Sequence, residues 1–248
     1  MTFWELFLWS VYPYLVLVTL TLSLIFRRRF RPFGWTSKSS EFLEKKWLQI
    51  GSPLFHYGII FVFFGHVAGL LVPLEFYREL GVSDETYHQL ALWGGGAAGL
   101  AAAAGILLLA GRRFAHPRIR ATSSFGDFVT IILLNIVIFT GISATGANAA
   151  SSANFDYRQN IGPWIRGVLT LRPDAAIMQD VPLPFKIHIV AAIALFAVFP
   201  FTRLVHMFSI PLSYLARTYV LYRKRHGRAP KNSRHAVSDA GNNGGGLH

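Results

Sequence analysis

The stretch SPLFHYGIIFVFFGHVAGLLVP, residues 52–73, carries no Asp, Glu, Lys or Arg and is long enough to cross a bilayer. It also holds two histidines, His56 and His66. An ionisable group inside a membrane span is costly, which makes it a functional candidate by default. A second stretch, from Pro184 to about Ile210, holds another pair, His188 and His206. Two spans with two intramembrane histidines each point to two bis-histidine metal centres.

The rest of the chain fits a membrane setting. Of 248 residues, 52% are hydrophobic and only 15% charged, the proportions of a polytopic membrane protein rather than a soluble domain. Five stretches have the length and apolarity of a span: 6–26, 54–73, 90–110, 126–144 and 185–208. Arg203, near the end of the fifth, reads as an interfacial residue whose stem snorkels. The expected fold is all-α, with five transmembrane helices. Cysteine is absent, which excludes disulfides, thiolate catalysis, and cysteine-ligated zinc or iron–sulfur clusters. Covalent attachment of a c-type haem is excluded for the same reason.

The net charge of +12 would suggest nucleic acid in a soluble chain. Here its distribution argues for topology instead. Arg27, Arg28, Arg29, Arg31, Lys38, Lys45 and Lys46 crowd the first connection, and Arg112, Arg113, Arg118 and Arg120 the third. Arg217, Arg223, Lys224, Arg225, Arg228, Lys231 and Arg234 follow the last span. The second and fourth connections are neutral or acidic. Positive loops stay in the cytoplasm, so the N-terminus is expected outside and the C-terminus in the cytoplasm. No nucleic-acid partner is expected. Glu5 precedes the first apolar core and the basic cluster follows it, so this stretch reads as a retained span rather than a cleaved signal. Residues 36–51 have the pattern of an amphipathic surface helix capped by Ser39 or Ser40. Trp164, Ile165, Val168 and Leu169 suggest a short helix on the outer surface. Residues 1–226 form the expected membrane domain, and 227–248, polar and Gly/Asn-rich, a disordered cytoplasmic tail.

Ten residues separate His56 from His66, about 15 Å and 2.8 helical turns, so the two point to roughly one side. Eighteen separate His188 from His206, about 27 Å along a straight helix. The two spans run antiparallel, which matches His56 with His206 at the cytoplasmic depth and His66 with His188 at the outer one. The unequal spacings are in tension with that pairing. Zinc usually takes four ligands, whereas haem needs two axial ones, which a facing pair provides. Gly58, Gly65 and Gly69, and the Gly94–Gly105 region, offer small residues for a macrocycle or for close helix packing. Arg112, Arg113 and Arg203 at the cytoplasmic edge are candidate propionate contacts. An iron with two histidine ligands has no open position and suits electron transfer. His88, at the outer end of the third span, is a further candidate.

Several segments resemble the gamma subunit of membrane-bound respiratory nitrate reductase, a di-haem cytochrome b. They are VYPYL at 11–15, LFHYGIIFVFFGHVAGLLVP at 54–73, GGGAAG at 94–99, PRIRAT at 117–122 and FPFTRLVHMFSIPLSYLARTY at 199–219. The resemblance runs from the first span to about His226. It implies five spans in the inner membrane of a prokaryote and two b-type haems ligated by His66 with His188 and His56 with His206. It implies quinol as the substrate, drawn from the membrane quinone pool and oxidised near the outer haem. Electrons would then pass to an iron–sulfur beta subunit and a molybdenum-containing alpha subunit in the cytoplasm, where nitrate is reduced. Family members with a defined quinol site carry a lysine just before the third span. This chain has Thr86-Tyr87-His88-Gln89 there, which leaves Tyr87 and His88 as quinol-site candidates. Related di-haem subunits of nitrite-oxidising or sulfur-metabolising enzymes are the alternative, and a non-redox anchor or transporter is a more distant one.

Overall fold

In hydrocarbon every backbone N–H and C=O must bond within its own segment, so apolar runs of this length become helices. The computed structural model describes residues 1–30, 43–151 and 155–209. Five helices in it have the length and composition to cross a membrane: Phe3–Phe30, Lys46–Leu71, Asp84–Ala115, Phe125–Ala150 and Leu183–Phe201. Short helices Leu74–Glu79, Pro117–Thr122 and Ile161–Leu169 lie in the connections. No strand occurs among the described residues. The protein is thus all-α and polytopic. The tail and its basic residues, together with Ser39 and Ser40, lie outside the described residues.

Polar caps carry most spans beyond their apolar cores. Thr2 and Glu5 form a reciprocal capping box at the start of the first span, with the Thr2 N–H donating to Glu5 Oε2 at 2.7 Å. Ser124 and Asp127 do the same for the fourth. The second helix begins at Lys46, so residues 46–51 are its first turns rather than part of a separate surface helix. Glu44 accepts the Trp47 N–H at 2.9 Å just ahead of it.

The fifth span departs most from expectation. Its α-helix ends at Val198, and Phe199–Phe201 forms a 3-10 turn. Thr202 is extended, and a second 3-10 segment runs from Arg203 to Ser209. Pro200 accounts for the break: it has no N–H to donate and disfavours helical backbone before it. Arg27 of the first span donates to the carbonyls of Pro200 and Thr202, at 2.6 and 3.2 Å, so the interrupted ladder does not leave them bare.

The spans pack second on third, third on fourth, fourth on fifth, and fifth on first. The two histidine-bearing helices share no extensive backbone contact, so the bundle is an arc with a slot between them. The second and third spans meet most closely. A side chain on Gly105 would fall on the Phe55 backbone, and one on Gly58 would lie 2.9 Å from Ala102 Cα. These glycines serve helix packing. One end of the arc gathers Arg27, Arg112, Arg113 and Arg203 and is called here the basic end. The other is covered by Ile161–Leu169 and its flanks and is called the capped end. There Trp164 and Val168 face inward with Trp9 and Met178, and the Trp164 indole N–H donates to Trp9 O at 2.9 Å.

Candidate functional site: two facing histidine pairs

Across the slot, the rings of His56 and His206 have centroids 6.2 Å apart, and those of His66 and His188 6.1 Å apart. The break in the fifth span removes the tension in spacing, because the chain from His188 to His206 need not rise through 27 Å of straight helix. Each pair combines one histidine from the second span with one from the fifth segment, at opposite ends of the bundle.

Hydrogen bonds orient the rings. Nδ1–H of His56 donates to Ser52 O at 2.7 Å, that of His66 to Val62 O at 2.8 Å, and that of His206 to Arg203 O at 2.6 Å. A carbonyl can only accept, so Nδ1 carries the proton and the lone pair lies on Nε2. His188 Nδ1 meets Thr140 Oγ1 at 3.2 Å. That hydroxyl already donates to Ile136 O and Val137 O, at 2.8 and 3.0 Å, so it too accepts from the ring. All four imidazoles therefore carry their lone pair on Nε2, the tautomer that second-shell bonds impose on metal-bound histidines.

The separations would let each pair hold one metal ion between two imidazoles. Imidazole nitrogen sits about 2 Å from a first-row metal ion, and about 1.1 Å from its own ring centre, given ring bonds near 1.33 Å. Two rings on opposite sides of one ion therefore stand about 6.2 Å apart between centres. Among the described residues no three His, Asp or Glu side chains gather on one point. The donor set is thus two-point, as haem requires, rather than tetrahedral. Gly65 has open space where a side chain would stand, and the His188 ring lies against Gly141, whose Cβ would come within 3.0 Å of Cε1. Thr140 and Gly141 are contacts of His188 that histidine spacing could not reveal.

The charged candidates at the basic end are engaged within the protein. Arg112 pairs with Glu44 through Nε at 2.7 Å, its side chain only 4% exposed. Arg203 Nε pairs with Asp127 at 2.6 Å, and Arg113 approaches the same carboxylate at 3.3 Å. Arg203 also holds His206 through its carbonyl, so Asp127, Arg203 and His206 form one connected set. Burial raises the Glu44 carboxyl, but the Trp47 N–H and Arg112 outweigh it and hold Glu44 below its ordinary value.

Comparison with known families decides the kinship. The family model for the nitrate reductase gamma subunit matches residues 5–225. The chain belongs to the nitrate reductase gamma subunit family. Its similarity to the nitrate reductase gamma chain of Bacillus subtilis (strain 168) is 49% identity, over 88% of this chain and 97% of that one. The respiratory nitrate reductase 1 gamma chain of Escherichia coli (strain K12) is 34% identical over 91% of this chain and all of its own length. The nitrate reductase-like protein NarX of Mycobacterium tuberculosis (strain ATCC 25618 / H37Rv) is 39% identical over 89% of this chain, which covers 34% of that longer protein.

At the capped end of this gamma-subunit family member, a cation lies over the Tyr87 ring. Arg158 Cζ is 4.2 Å from the Tyr87 ring centroid. Tyr77 and Tyr87 have centroids 4.8 Å apart. His88 is half-buried on the same turn. Burial raises the Tyr157 hydroxyl above its ordinary value. The nearness of Arg158 to Asp156 in the run Asp156-Tyr157-Arg158 is the local signal of a paired, buried guanidinium.

Proposed function

We propose that this protein is the quinol-oxidising cytochrome b subunit of a respiratory nitrate reductase, with the capped end outside and the basic end in the cytoplasm. The two facing histidine pairs carry this reading. His66 with His188 would hold the outer haem, and His56 with His206 the inner one. When bound, two b-type haems supply one-electron transfer between a two-electron quinol and one-electron iron–sulfur acceptors. The chain's own contribution is orientation: Ser52, Val62, Thr140 and Arg203 fix the tautomer and aim of each imidazole. The packed capped end lies beside the outer pair, and quinol protons leave on that side. Arg203 and Arg113 keep a positive field beside the inner pair, suited to propionates, and Arg112 stiffens the same edge through Glu44.

The partners proposed are an iron–sulfur beta subunit and a molybdenum-containing alpha subunit, docked at the basic end. The membrane is the inner membrane of a prokaryote, in keeping with the bacterial relatives. Purified protein should give a reduced-minus-oxidised spectrum with two b-type components. His66→Ala or His188→Ala should remove one, and His56→Ala or His206→Ala the other. Unchanged haem content in these variants would refute the ligand assignment. Mass spectrometry of the co-purified subunits separates a nitrate reductase from a related complex with another terminal enzyme.

A further inference from the structure

We propose that Asp127 is a positioning residue for the inner histidine pair: by gripping Arg203 it fixes the carbonyl that aims the His206 ring, and so sets the ligand geometry of the inner haem. The inference rests on the two-haem reading and adds to it a residue of the fourth span.

His206 needs such a support. The helix that carries His188 ends at Val198, and His206 stands past the extended Thr202, on the 3-10 segment Arg203–Ser209. A 3-10 run has poorer hydrogen-bond geometry than an α-helix. The Arg203 carbonyl aims the ring, accepting its Nδ1–H at 2.6 Å. Residues three apart on a 3-10 segment eclipse one another, so Arg203 and His206 share a face. Whatever holds Arg203 therefore holds the ring.

Asp127 is placed to do so. It is the third residue of the fourth span, where Oδ2 accepts the Ser124 N–H at 3.0 Å and Ser124 Oγ accepts the Asp127 N–H at 3.3 Å. That reciprocal cap ties the carboxylate to the start of a 26-residue helix. The other oxygen, Oδ1, accepts from Arg203 Nε at 2.6 Å, the short distance of a charge-assisted bond. Arg113 closes a third side. Its Nη1 lies 3.3 Å from Oδ2 and donates to Ser123 Oγ at 2.6 Å, and that hydroxyl donates on to Ile119 O at 2.7 Å. The ends of the third and fourth spans thus anchor a carboxylate on a residue only 8% exposed. Helix capping accounts for Oδ2; Oδ1 serves the broken fifth segment.

Charge gives the carboxylate a second influence. Two guanidiniums against one carboxylate leave one positive charge beside the inner pair. Removing the carboxylate charge leaves two, which favours the reduced iron and raises its midpoint potential.

The test uses the complete complex with Asp127→Asn and Asp127→Glu, read by haem content, redox titration and low-spin EPR. The inner signal is the one that His206→Ala removes. Asparagine replaces one of the two accepting oxygens with a donor, so the Ser124 cap and Arg203 cannot both be served as before. Glutamate keeps the charge but carries it one methylene away from the cap. Both variants should shift the inner EPR signal and leave the outer signal and potential unchanged, and asparagine should also raise the inner midpoint potential. Loss of the inner haem alone is the same effect carried to dissociation. If Asp127→Asn fails to assemble, Asp127→Glu decides by its EPR signal. A shift with asparagine but not with glutamate reduces Asp127 to a charge acting through space and overturns the positioning role. So does a wild-type inner signal in both variants, an equal change at both centres, or failure of both variants to assemble, which would assign Asp127 to the fold alone. A wild-type complex without two b-type signals would instead sink the haem reading itself, and this inference with it.

Discussion

Single hydrogen bonds decide which nitrogen each histidine presents. Thr140→Val keeps the shape of the fourth span but removes the acceptor for His188 Nδ1. A bond of this kind is worth about 0.5–1.5 kcal/mol. The expected result is a shifted or broadened outer b-type component with the inner one unchanged, read by low-temperature difference spectroscopy. At Gly141 a larger substituent acts by bulk, because its Cβ would already crowd the ring; Gly141→Val should lower occupancy of the outer site alone. Asp156 invites a pH measurement. Burial raises its carboxyl, but bonds from the Arg158 side chain and backbone outweigh that and hold it below the ordinary Asp value. A depressed folded value means the pair stabilises the fold above the unfolded Asp range, about 3.9, and loses that contribution as pH falls through the folded value. Hydrogen exchange in Ile161–Leu169 should therefore stay slow from neutral pH down to about pH 5 and accelerate, beyond the intrinsic pH effect, only below about pH 4. Asp156→Asn should remove that acid transition.

Helices were the most readable level. Long apolar runs with few charges announced all five spans, and the apolar residues Trp164, Ile165, Val168 and Leu169 announced Ile161–Leu169, because burial against one face leaves a pattern in the sequence. What escaped were interruptions and partners. Hydropathy alone carries the fifth span through to residue 208, although Pro200 marks where its ladder must fail. The residues that aim the rings, Thr140 and Gly141, are ordinary in an apolar run and acquire meaning only when His188 is brought against them. The second and third helices depend on Gly58 and Gly105 for their approach. Gly105→Leu should cost more than the usual 1–3 kcal/mol of overpacking, since backbone rather than a flexible side chain stands in the way. The expected outcome is loss of folded protein in a detergent-extraction assay, whereas Gly95→Ala, with nothing within 4 Å of its Cβ position, should extract normally.

At the scale of the whole molecule, the absence of cysteine offers a clean route to orientation. Thr170→Cys at the capped end should react with an impermeant maleimide in intact cells, and Arg118→Cys at the basic end only after lysis; the reverse pattern would invert the proposed topology. The two halves of the slot also differ mechanically. His188 rides on continuous α-helix, whereas His206 stands past a break, on a 3-10 segment steadied by the first span through Arg27 and by the fourth through Arg203 and Asp127. On the proposed reading, stripping the soluble subunits from the membrane should accordingly retune the inner centre's midpoint potential while leaving its outer counterpart near its original value. One site is bolted to a girder, and its companion hangs from a bracket within reach of whatever docks beneath.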